Sequence, residues 1–393
     1  MIGKLKNYDF TLLTTPLFLT AFGIVMIYSA TMVSAVVEGH ESTYYMVRQI
    51  QWFGVSLIGF LFCSIFPYKY YQKLIKIIIF FVILILIGVL VFGTEVNNAQ
   101  SWFVIGPISI QPAEFAKLGL IIYLAAIYSK KQAYINDFSK AVLPPLVLMG
   151  LILSLIVMQP DIGTAAIIFL IASSIIVSSG IRMKHLLILV LAGCMFLAII
   201  LPHMITDVRI SRFTGAYQPF EAPDSIGYQL VQSYVAIGVG GLLGEGLGQS
   251  VQKLGYLPEA HTDFIMAIIA EELGFIGVLI VISMLAIIVL RGMFIARKCN
   301  DSFGALLAIG ISSMVGFQSF INLGSISGIL PITGVTLPFV SYGGSSLFIL
   351  LVSTGILNNI AKTVKQNKRE PTHTTEETTK KFTLHRGGRT WVN

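Results

Sequence analysis

Three groups of polar residues stand out in a chain that is otherwise apolar. The first is Leu257-Pro-Glu-Ala-His-Thr-Asp-Phe-Ile265, which sets Glu259, His261 and Asp263 directly before a long apolar run. A carboxylate there is partly desolvated, and desolvation raises its proton affinity toward what a general base needs. The competing reading is a helix N-cap supplied by Thr262 or Asp263. His261 and Asp263 are also metal-ligand types, but a third ligand would have to come from elsewhere, with Glu114 the candidate. The second group spans residues 97–117, where Pro112 suits a helix start and puts Glu114 and Lys117 one turn apart. Ionisable groups at membrane depth are costly and are functional candidates by default, and an i, i+3 pair lets each charge offset the other. The same pair also serves as a purely structural tie between helices. Trp102 and Gln111 share this segment, and Trp102 equally fits an interfacial aromatic belt. The third group, residues 330–346, carries Ser341, Tyr342 and Gly343 in a Gly- and Pro-rich stretch. Irregular backbone at membrane depth is tolerated where it is buried or lines a cavity, and small residues also permit close helix packing.

Arg209, Arg212 and Lys253 are further cations of the kind a diphosphate would need, although each alone fits a surface contact with lipid headgroups. Glu271 and Glu272 are adjacent acids within an apolar stretch, which packing alone does not explain. Asn322 is a lone amide that needs a partner.

The elements that position these groups are read from composition. The 393 residues are 55% hydrophobic and 11% charged, where a soluble chain carries roughly 25% charged residues. With a mean hydropathy of +0.83 this is an all-α, polytopic membrane protein. Ten stretches can each span a bilayer, which takes about 20 apolar residues: 12–36, 47–66, 74–92, 112–128, 142–158, 162–179, 186–204, 266–290, 304–323 and 341–361. The first is long for a signal sequence and nine more follow, so a retained helix is expected. With the N-terminus inside, 21 of the 26 Lys and Arg residues fall in inner segments and 13 of the 19 acids lie outside or at the outer helix ends. The positive-inside bias therefore predicts two cytoplasmic termini and a large outer loop, 205–265, between the seventh and eighth spans. The net charge of +7 is mostly this topology signal, so nucleic acid is not an expected partner. Cys63, Cys194 and Cys299 form no disulfide framework or metal motif.

Residues 1–361 thus read as one membrane domain and 362–393 as a basic, disordered cytoplasmic tail. Within the outer loop, Leu230, Val231, Tyr234, Val235 and Ile237 suggest an amphipathic helix lying in the interface. The glycine-dense stretch 238–248 matches no nucleotide-binding spacing. It suits close backbone approach to a ligand or another helix, or a flexible hinge.

All three motifs resemble those of the SEDS family of cell-wall proteins: Ala99-Gln-Ser-Trp-Phe with Ser109-Ile-Gln-Pro-Ala-Glu-Phe-Ala-Lys117, Leu257–Ile265 with Ala270-Glu-Glu-Leu-Gly274, and Pro331–Ser346. The likeness covers all ten spans and is greatest to the division branch from Bacillus-like bacteria, with the elongation and sporulation branches sharing the motifs. It implies a peptidoglycan glycosyltransferase that polymerises lipid II into glycan strands at the outer face of the plasma membrane, enriched at the septum. It also implies a class B penicillin-binding protein as partner transpeptidase, together with other divisome proteins. The family's essential acid falls on Asp263, and its polar cavity falls on Glu114 and Lys117. Ala113 departs from the Ser of many relatives without touching the chemistry.

The reaction expected is an inverting transfer with Asp263 as base. The diphosphate charge would be met by Lys117, Arg209, Arg212 or a divalent cation (Mg or Mn) at Asp263, and no organic cofactor is implied. Trp102, Gln111, Lys253, Glu259, His261, Ser341, Tyr342 and Gly343 complete the candidate substrate contacts. A lipid II transporter and a non-catalytic recruiter are the rival readings of the same polar groups.

Overall fold

The computed structural model of the chain describes residues 7–96, 99–106, 108–182 and 214–369, with five isolated positions between 184 and 193. Its helices are α1 (Phe10–Thr31), the single turn α2 (Ser34–Val37), α3 (Tyr44–Ile65), α4 (Lys69–Phe92), α5 (Pro112–Lys130), α6 (Leu143–Val157), α7 (Ile162–Ser178), α8 (Tyr228–Gly240), α9 (Ile265–Lys298), α10 (Ser302–Ile326) and α11 (Gly344–Arg369). Eight helical segments among the described residues are long and apolar enough to cross a membrane, and α7 is a shorter apolar helix of the same kind. These nine coincide with nine of the ten expected spans; the stretch 186–204 lies outside the described residues. The chain is a multi-pass membrane protein.

Local chemistry sets the helix starts. Asp9, Asp161 and Asp301 cap α1, α7 and α10, each accepting a backbone N–H of the first turn. Asp161 thereby separates α6 from α7 within the apolar stretch 142–179. Ile58, Phe62, Ile77, Phe80 and Leu290 remain exposed. On a multi-pass protein such exposed apolar side chains are the surface that lipid covers, while α5, α10 and α11 are mostly buried and form the centre.

Two expectations change. Residues 94–110 fold into a three-stranded antiparallel sheet of β1 (Thr94–Val96), β2 (Ala99–Ile105) and β3 (Ile108–Ile110), pairing Thr94 with Trp102 and Phe103 with Ile110. The β-branched and aromatic residues of that segment favour this sheet. Helix α11 continues to Arg369, eight residues past the expected edge of the tail. Residues 370–393 lie outside the described residues.

The bundle has two distinct ends. At one, Arg291 pairs with Asp9 at 2.7 Å, and Lys362 and Lys365 both donate to Tyr8, each at 3.0 Å. Tyr8, Asp9, Arg291, Lys362 and Lys365 therefore meet at one end of the bundle. The three motifs lie at the opposite end. In a background without the three native cysteines, a cysteine at the exposed Gln218 is expected to react with an impermeant reagent added outside, and one at Ala133 is not. Reversed labelling would place Asp263 in the cytoplasm and defeat the functional reading below.

Candidate active site

Helix α10 gathers the three motifs. Its Gln318 and Asn322 are four residues apart and so share one face. Asn322 Nδ2 donates to the Asp263 carbonyl and to the Val335 carbonyl, each at 2.7 Å. Gln318 Oε1 accepts from Lys117 Nζ at 3.3 Å, while Gln318 Nε2 donates to the Thr336 carbonyl at 3.2 Å. The outer-loop motif and the Glu114/Lys117 motif are thus held on adjacent turns of one helix, through neighbouring residues of the 330–346 loop.

Asp263 is 8% exposed, and its carboxylate accepts from the Thr262 hydroxyl at 3.2 Å. It lies two residues before α9, whose N-cap position is taken by Phe264, so neither Thr262 nor Asp263 holds the cap. The main chain is turned there by Glu259, at a positive φ of 54°, whose carbonyl accepts from the N–H groups of Thr262 and Phe264. The exposed Glu259 side chain accepts from the Thr262 hydroxyl at 2.7 Å.

Pro112 occupies the first turn of α5, as its spacing predicts, and Glu114 and Lys117 follow on the buried face. Lys117 Nζ bonds Glu114 Oε1 at 2.8 Å, with the two residues 2% and 5% exposed. Glu114 Oε2 and Asn322 Oδ1 accept no hydrogen bond from the described residues. Buried oxygens without partners are uncommon and invite a hydroxyl or water.

Around His261 lies an aromatic cluster. Its ring centroid is 4.8 Å from that of Tyr45 and 5.5 Å from that of Tyr342, and its carbonyl accepts from Tyr342 N–H at 2.9 Å. Burial pushes the His261 pKa below its ordinary value, with Glu259 and Glu38 acting in the opposite sense. The ring is therefore neutral at pH 7. Burial pushes the Tyr342 phenol up, opposed by its hydrogen bond with Arg48. Arg48 also lies over the Tyr44 ring, 4.5 Å from its centroid.

A family model described as cell cycle protein, for FtsW, RodA and SpoVE, matches residues 10–366. The chain belongs to this FtsW/RodA/SpoVE family. It is 51% identical to the "Probable peptidoglycan glycosyltransferase FtsW" of Bacillus subtilis, covering 93% of this chain and 94% of that protein. It is 38% identical to stage V sporulation protein E of the same organism, covering 92% and 99%. Among solved structures it matches a chain of a peptidoglycan synthase complex, described as coordinating polymerization and crosslinking, with a TM-score of 0.75 and 28% identity over 91% of this chain and 99% of that one. It also matches the rod shape determining protein RodA of Thermus thermophilus, with a TM-score of 0.66 and 28% identity over 90% and 97%.

The remaining predicted residues of this FtsW/RodA/SpoVE chain fall as follows. Gln111 is a tie between motifs, its N–H donating to Ser345 Oγ at 3.1 Å and its side chain to Asp161 at 3.0 Å. Ser341 Oγ accepts from Leu337 N–H at 2.8 Å, and Gly343 N–H donates to Gln49 at 3.3 Å. Trp102 is half-buried on β2. Arg209 and Arg212 lie outside the described residues. Lys253, expected at the surface, is instead 3% exposed and paired with Glu272 at 2.8 Å. That pair also accounts for an acid within α9. Glu114 does not complete a metal set with His261 and Asp263, and among the described residues no three His, Cys, Asp or Glu side chains gather as a metal cage.

The outer loop contains the expected helix, and only Leu230 of its apolar face turns into the protein. In α8 the buried residues are Leu230, Ser233, Ala236 and Gly240, while Val235 and Ile237 are exposed. The reason is packing on α9: a Cβ on Gly240 would come within 1.8 Å of the Ala270 carbonyl oxygen. Gly274, at φ 63°, breaks α9 so that the Gly241 carbonyl can accept from Phe275 N–H at 2.9 Å. Of the readings of the glycine stretch, close approach to another helix is the one observed. Gln49, Gln318 and Thr336 were not singled out in the sequence. A polar amide in an apolar span is the signal for Gln49 and Gln318, while Thr336 lies within the 330–346 motif.

Proposed function

We infer that the chain is a peptidoglycan glycosyltransferase that polymerises lipid II at the outer face of the plasma membrane, in septal synthesis during cell division. Its N- and C-termini would then be cytoplasmic. The observation that carries the reading is the convergence of Asp263, nearly buried beside a helix start, with the Lys117/Glu114 pair on one face of α10. That pattern suits a lipid-linked, anionic substrate entering at headgroup depth.

In the reaction, the Asp263 carboxylate takes the proton of the acceptor sugar 4-hydroxyl. The hydroxyl oxygen attacks the anomeric carbon of the lipid-linked donor from the face opposite the diphosphate. The anomeric C–O bond to phosphate breaks, and undecaprenyl diphosphate departs with the bonding pair. Configuration inverts once. Lys117 supplies positive charge near the leaving group, where a water-poor setting strengthens the attraction. A divalent cation, Mg or Mn, would be held by Asp263 and would supply further positive charge to the site.

The partner proposed is a class B penicillin-binding protein that crosslinks the strands, within a larger divisome. The likeness to a chain of a synthase complex supports that pairing. Purified chain supplied with lipid II in vesicles decides the matter. Glycan polymer is the expected product; flipped lipid without polymer would establish a transporter, and neither product, with the partner present, a recruiter.

A further inference from the structure

Lys253, Glu271 and Glu272 form, with Ser29 and Ser250, a buried charge cluster that the proposed reaction does not use. Lys253 Nζ donates to Glu272 Oε1 at 2.8 Å and to Ser29 Oγ at 3.2 Å. Ser29, on α1, donates in turn to both Glu272 oxygens at 2.7 and 2.8 Å. Val251 N–H donates to Glu271 Oε1 at 2.8 Å, and the Ser250 hydroxyl donates to Glu271 Oε2. The main chain adds two bonds, from Glu245 N–H to the Glu271 carbonyl at 2.9 Å and from Gly246 N–H to the Glu272 carbonyl at 3.0 Å.

Position gives the cluster its meaning. Lys253 lies ten residues before Asp263 and Glu272 nine residues after it. The ion pair therefore closes the segment that carries Asp263 into a ring, and Ser29 pins that ring to α1. The break at Gly274 follows at once, so the short helix Ile265–Leu273 is fixed at both ends. A reacting carboxylate must be held within about 0.5 Å, and only a supporting shell can do that for a loop residue.

We propose that Lys253, Glu272 and Ser29 form a clasp that positions Asp263 for glycosyl transfer. The proposal rests on Asp263 being the base. The three are positioning residues and do not touch substrate. Lys253 carries the ammonium that meets the buried Glu272 carboxylate, so removing Lys253 alone leaves buried negative charge and loosens the ring, whereas removing the charges of both Lys253 and Glu272 does so less.

Steady-state polymerisation by the full chain tests this. Lys253→Met should lower kcat by about 100-fold, the scale of a 1 Å misplacement, with KM for lipid II little changed. Lys253→Met/Glu272→Gln should recover to within roughly 10-fold of the parent. Ser29→Ala removes the hydroxyl's bonds to Lys253 and Glu272 without unbalancing charge, and should lower kcat roughly 10-fold in a chain that stays folded. If Lys253→Met fails to accumulate, the double variant and Ser29→Ala carry the test. Parental kcat in Ser29→Ala and in the double variant, or a loss confined to KM, overturns the clasp. Asp263→Asn assayed alongside separates the two readings: polymer from Asp263→Asn removes the base, while an inactive Asp263→Asn beside fully active clasp variants removes the clasp alone.

Discussion

Asp263→Asn is expected to lower lipid II polymerisation by about 100- to 10,000-fold, the range for loss of a positioned general base. The amide keeps the size of the side chain and can still accept from Thr262, a contact of 3.2 Å in the parent. The hook from Asn322 is made to the Asp263 carbonyl, so it survives any change of side chain. The variant should therefore fold, reach the membrane and bind both lipid II and its partner normally. Asp263→Glu keeps the carboxylate but moves it by about one methylene, so a trace of activity should remain. Glu259→Gln should be milder, because that side chain is exposed and its main-chain bonds to Thr262 and Phe264 are untouched. A metal role for Asp263 would show as partial recovery at raised Mg or Mn. Near-normal polymer from purified Asp263→Asn would eliminate both the base and the metal assignments.

Much of this site is legible in the sequence because membrane depth makes polarity conspicuous. In an apolar chain every buried charge demands a partner, so Glu114, Lys117, Asp263, Glu271 and Glu272 mark themselves. Local spacing then gives the Glu114/Lys117 pair, since residues three apart on a helix are neighbours. What spacing does not give is pairing across the chain. Lys253 and Glu272 meet because Gly274 breaks α9 and the glycines before Lys253 let its loop lie against that break. A lysine that ends buried reads in sequence like any lysine of an outer loop. Helix α8 is half legible: of the residues read as its interfacial apolar face, Val235 and Ile237 are exposed but Leu230 is buried, because the side packed closely in the protein is set by Ser233, Ala236 and Gly240. The strands of 94–110 escaped notice because β1 and β3 have three residues each, too few to display a period, although β2 has seven.

Gln318 and Asn322 show the same division in a form that bears on mechanism. Each is a single amide within α10, and in sequence neither has an evident partner. Only the fold shows that one binds Lys117 and the other the Asp263 backbone. The two charged sites therefore share one rigid helix. Their separation is set by helix geometry, about 1.5 Å of rise per residue over four residues, and not by loop flexibility.

Lys117→Met is expected to reduce polymerisation by about 100- to 1,000-fold, the loss found when one preorganised electrostatic donor is removed from a water-poor site. The pair also contributes to the fold. Its 2.8 Å bond is buried, and stranding one charged partner costs about 3–5 kcal/mol. Lys117→Met alone therefore mixes two effects, because Glu114 must stay charged without compensation or take up a proton. Glu114→Gln/Lys117→Met separates them. Neither residue is then ionised, the isosteric amide keeps its place on α5, and the stability cost should shrink. If the ammonium serves the leaving diphosphate, the double variant stays as inactive as Lys117→Met although its thermal stability recovers. If the pair only joins α5 to α10 through Gln318, activity should return together with stability. The first outcome is expected, because Glu114 Oε2 accepts no hydrogen bond from the described residues. A purely structural pair would be expected to satisfy both carboxylate oxygens, whereas a pair facing substrate leaves one to meet it.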